Sequence, residues 1–69
     1  MEFELKTGTQ GHIYLPKMLR KTFGSRIKLL PNDTAGAIYP ETATPQEVIA
    51  SLEVIIQHLK LQAKRESIN

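Results

Sequence analysis

Polar and apolar positions alternate from the start of the chain. Over residues 2–7, Phe3 and Leu5 fall on one side and Glu2, Glu4 and Lys6 on the other, which predicts a half-buried strand. Thr7-Gly8-Thr9-Gln10-Gly11 is small, polar and flexible, and predicts a hairpin loop. Alternation resumes over 12–15, with Ile13 and Leu15 on one face and His12 and Tyr14 on the other. Pro16 ends that strand, because it lacks a ladder donor, and suits the first turn of a helix. The period then changes. Met18, Leu19 and Phe23 recur at helical spacing, Lys17, Arg20 and Lys21 take the remaining surface, and Gly24 is placed to cap the helix.

Strand character returns over 26–30, where Ile27 and Leu29 oppose Lys28. Pro31-Asn32-Asp33-Thr34 reads as a turn, since Pro presets one dihedral and Asn and Asp bond to nearby backbone. A second strand over 35–39 is weakened by Gly36 and ended by Pro40. Residues 1–40 therefore read as a β-β-α-β-β unit, and residues 41–43 as a linker. Thr44-Pro45-Gln46-Glu47 is a capping box with Pro at the first helical position. Behind it Val48, Leu52, Ile55 and Leu59 repeat at four and three, with Ile49, Ile56 and Ala63 widening the stripe, which predicts an amphipathic helix over 44–66.

Composition sharpens this outline. A chain of 69 residues without cysteine has no disulfide or thiolate-metal staple. Folded alone it would bury only about 60% of its unfolded surface. His12 and His58 lie far apart and make no metal motif, so association with a second copy is the expected route to a core. The formal charge is +2 but uneven: residues 1–40 carry six basic groups against three acidic, and residues 41–69 three against four. A basic N-terminal half is compatible with nucleic-acid binding. No long apolar run opens the chain, which predicts a cytoplasmic protein with no membrane partner.

The stretch Gly11-His-Ile-Tyr-Leu-Pro-Lys-Met-Leu-Arg-Lys-Thr-Phe-Gly24 resembles the signature of the AbrB/MazE/SpoVT-type swapped-hairpin DNA-binding domains. Their pattern is a Gly, an alternating strand ending in Ile/Leu-Pro, a short basic helix and a second Gly. The resemblance covers roughly residues 3–40. It implies an α+β fold in which two β-β-α-β-β units interleave into one barrel-like homodimer, here with an added C-terminal amphipathic helix. It also implies duplex DNA as partner, met by the basic helix and its flanking strand and loop. Carried over position by position, Arg20 and Lys21 match the basic pair on the helix, and Lys6 lies near a basic position of the first strand. His12 stands where many members have Arg, and lacks the bidentate fork that reads guanine or grips phosphate. Members commonly place a Gly-Asp turn before the third strand, whereas this chain has Ser25-Arg26 there.

The DNA-binding candidates are thus Lys6, His12, Lys17, Arg20, Lys21 and Arg26. Val48, Leu52, Ile55, Ile56 and Leu59 are the candidates for a dimer or partner interface. No catalytic constellation or phosphate-cradling loop is present, which points away from an enzyme and from any cofactor. The function expected is that of a homodimeric transcriptional regulator, open to association into a higher oligomer. Two alternatives stand beside it: an antitoxin whose C-terminal helix binds a toxin protein, and a protein-interaction module that leaves DNA alone.

Overall fold

The computed structural model describes residues 2–68 as an α+β chain built from one antiparallel hairpin and two helices. Helix α1 spans Lys17–Phe23, strands β1 and β2 span Ile27–Asn32 and Ala35–Pro40, and helix α2 spans Pro45–Ile68. β1 and β2 pair in register from Ile27 opposite Pro40 to Asn32 opposite Ala35. Only Asp33 and Thr34 lie between them, and the Asp33 N–H donates to the Asn32 side chain at 2.7 Å. The turn is therefore shorter than the four residues expected, and Pro31 belongs to β1. A two-stranded sheet has only edge strands, and proline is tolerated on an edge because its missing donor faces outward. Opposite it sits Gly36, where an added Cβ would come within 3.1 Å of the Leu30 carbonyl oxygen and 3.2 Å of the Pro31 Cα.

The first expected hairpin is the main difference. Residues 2–7 and 12–15 do not form regular strands; a single bridge joins Thr7 to Ile13. Within it the Gly8 N–H donates to the His12 carbonyl at 2.6 Å and the Gly11 N–H to the Gly8 carbonyl at 2.9 Å. Gly11 turns the chain with φ of +83°. An isolated two-stranded hairpin is marginal in water; β1–β2 is closed by a two-residue turn and has α1 packed on β2, whereas the five-residue stretch Thr7–Gly11 joins the segments here. The N-terminal segment instead reaches α2, where the Gln62 side-chain amide donates to Glu2 at 3.3 Å.

Both helices end as their caps dictate. In α1 the Gly24 N–H donates to the Arg20 carbonyl at 2.9 Å, and Gly24 takes φ +79°, ψ −168°, a conformation open only to glycine. In α2 the Thr44 N–H donates to Glu47 Oε1 at 2.8 Å and the Glu47 N–H to Thr44 Oγ1 at 3.2 Å, closing the capping box. The Thr44 backbone and hydroxyl bonds hold the Glu47 carboxyl below the usual carboxylate range. α2 runs two residues beyond the expected end at residue 66.

Among the described residues no side chain is buried. The chain exposes 6634 Å², against about 4,400 Å² for a compact monomer of this mass. Its radius of gyration is 14.0 Å, against about 11 Å for a compact chain of this length. α1 packs against β2, but α2 stands off the hairpin across an open groove of about 600 Å³. The hairpin itself is largely apolar on both faces: Ile27, Leu29 and Ile38 on one, and Leu30, Ala37 and Tyr39, towards α2, on the other. A sheet covered on both sides reads this way.

Candidate nucleic-acid interface

Helix α1 is short enough for its two sides to be assigned residue by residue. Lys17, Arg20 and Lys21 stand at i, i+3 and i+4, so they share one side. Leu19 and Phe23, also four apart, form the opposite side and are half-buried. Pro16 starts the helix and is itself half-buried, which fixes how the helix leaves the preceding segment. The result is one exposed basic side on an element anchored by its apolar side. Arg20 and Lys21 also lie in the last turn, where cations favour the helix dipole.

Arg20 is positioned by a partner the sequence pattern did not single out. Its guanidinium donates to the Tyr14 hydroxyl at 3.1 Å, and its central carbon lies 5.2 Å from the Tyr14 ring centroid. Tyr14 is 72% exposed, so the ring stands on the surface and carries the guanidinium with it. A guanidinium held by one donor over an aromatic ring keeps its other N–H groups for a further acceptor. Six residues separate the two, across the strand-to-helix junction at Pro16, and no periodic pattern pairs such positions. The one signal available was that Tyr14 alternates onto the polar side of its segment with His12.

The other candidates divide. Lys17 and Lys21 are exposed beside Arg20. Lys6 and His12 are exposed and flank the Thr7–Ile13 bridge, one on each side of the loop. Arg26 is drawn elsewhere: its Nε lies 3.5 Å from the Glu41 carboxylate, and the Glu41 N–H donates to the Arg26 carbonyl at 3.0 Å. That places it beyond the far end of the β1–β2 pairing, against the linker. An exposed pair of this kind contributes little to stability, but it supplies the guanidinium with a carboxylate.

The interface candidates lie together. Val48 and Leu52 are half-buried, while Ile55, Ile56 and Leu59 are more than half open or nearly so. Leu52, Ile55, Ile56 and Leu59 line the α2 wall of the groove that faces Leu30 and Ala37 of the hairpin. No group of three or more His, Asp or Glu side chains that could hold a metal ion occurs among the described residues. Nor, among them, is any helix long and apolar enough to cross a membrane.

Compared with known proteins, the chain matches no family model, no curated protein and no solved structure.

Proposed function

We propose that this protein is a homodimeric DNA-binding transcriptional regulator of the swapped-hairpin kind, which meets duplex DNA through α1. The observation that carries the reading is the basic side of α1, with Lys17, Arg20 and Lys21 facing out and Leu19 and Phe23 facing in. Dimerisation is supported by the absence of any buried side chain among the described residues. The chain exposes roughly 2,200 Å² more than a compact monomer would, and a standard interface covers about 800 Å² per partner. Interleaving would give the bridge at Thr7–Ile13 the neighbouring strands it lacks, and would fill the groove between the hairpin and α2. A twofold axis then doubles every phosphate contact.

Binding of random-sequence duplex across a salt series tests this directly. Wild type is expected to lose affinity steeply with salt. Arg20→Ala/Lys21→Ala is expected to flatten the log–log slope by about 3.6, four contacts per dimer at 0.9 each. No binding by wild type at low salt would overturn the reading.

The closed capping box favours a regulator over an antitoxin. A toxin-binding segment that folds only on its target has no need of a helix start already satisfied by its own side chains.

A further inference from the structure

Helix α2 carries apolar residues on two sides. The first side, with Val48, Leu52, Ile55 and Leu59, faces the hairpin and the groove. Ala50, Val54 and Leu61 lie on the other side of the helix, turned away from both, with Val54 and Leu61 two turns apart. Val54 is 71% exposed and Leu61 59%. A dimer that closes the groove leaves them in water.

Charge along α2 decides what covers them. Its N-terminal half carries Glu47 and Glu53 and no basic group; its C-terminal half carries Lys60, Lys64 and Arg65 against Glu66. Two such helices side by side and antiparallel set each acidic half against a basic half, and oppose their dipoles. Centred between Gln57 and His58, that register puts Val54 opposite the partner's Leu61 and Leu61 opposite the partner's Val54. On one flank Glu53 then comes within a turn of the other copy's Lys64, and on the other flank Glu47 does so with Arg65. A parallel pair would instead set Lys64 beside the partner's Arg65 and lay the acidic half of one helix along the acidic half of the other. The helix is complementary to itself in one direction only.

We propose that α2 pairs with α2 of another copy, antiparallel, along Ala50, Val54 and Leu61. Two dimers thereby join into a tetramer. The count of four rests on the homodimer proposed above, whereas the seam does not. With two large side chains per helix, the seam is smaller than a standard interface, so the association depends on concentration.

Sedimentation equilibrium of the full chain over a wide concentration range reads both levels. Wild type is expected to pass from two chains to four as concentration rises. Val54→Lys/Leu61→Lys is expected to stay at two, with an unchanged helical circular dichroism signal. Glu53→Lys and Lys64→Glu should each weaken the upper step about fivefold, and the pair together should restore it. A one-to-two equilibrium abolished by Val54→Lys/Leu61→Lys would uphold the seam and overturn the proposed dimer. Wild type fixed at two chains, or a lysine variant that still reaches four, would overturn the seam. Failure of the combined charge reversal to restore association would overturn the antiparallel register.

Discussion

Arg20 donates to the Tyr14 hydroxyl at 3.1 Å across the Pro16 junction, so the segment before α1 holds a guanidinium that α1 presents. Tyr14→Phe keeps the ring and removes the acceptor. A hydrogen bond of this type contributes about 0.5–1.5 kcal/mol, so with one in each copy of a dimer affinity for duplex DNA is expected to fall by at least about fivefold. Because the charge remains, the salt slope should not change. Arg20→Ala should lower both, the slope by about 1.8 for a dimer. Titrations at two or more salt concentrations separate the two effects.

The start of α2 makes a second prediction. Thr44 Oγ1 accepts from the Glu47 N–H at 3.2 Å, and Thr44→Ala removes that cap. The cost is about 1 kcal/mol, which for a domain of this size lowers Tm by about 4–8 °C. Thermal melts followed at 222 nm, at one fixed protein concentration, provide the check.

Glu47 makes the same cap sensitive to acid. Its folded pKa lies below the ordinary value because the ionised carboxylate accepts the Thr44 N–H. The stabilisation is therefore fully present above the unfolded pKa of about 4.3 and is lost as pH falls through the lower folded value. Helical signal between pH 6 and pH 3 should decline in wild type. Glu47→Gln, which has no charge to lose there, should lose less stability over that interval.

At Gly36 the backbone of β1 crowds the space a side chain would take. A Cβ there would lie 3.1 Å from the Leu30 carbonyl oxygen and 3.2 Å from the Pro31 Cα, and neither atom belongs to a flexible side chain. Gly36→Ala is expected to destabilise by about 1–3 kcal/mol, the usual cost of overpacking. Gly8→Ala is a control, since its nearest contact would be an ordinary 3.5 Å. Chemical denaturation of both variants should separate them clearly.

The difference between local and distant bonds explains why the sequence could be read in some places and not others. The capping box and the Gly24 cap are local: the residues that make each one lie within four positions of each other, so their spacing states the bond. The long 3.6-residue period of α2 is local in the same sense. The Arg20–Tyr14 bond crosses a change of period at Pro16, and Arg26 meets Glu41 only because the β1–β2 register brings residues 26 and 41 together. Neither follows from a repeat. Phe3 and Leu5 show the opposite case, a clean alternation that does not yield a strand in the single chain. Alternation says which face wants burial, and the hairpin also needs something to be buried against.

The absence of any buried side chain among the described residues has a consequence for the protein's life at low abundance. If the interior exists only between copies, dilution acts on this chain as a denaturant acts on others, and Tm must rise with protein concentration. Newly made chains would then remain open to proteolysis until enough of them accumulate to meet. Production rate would set a threshold below which there is no folded protein, without any ligand or modification to impose it.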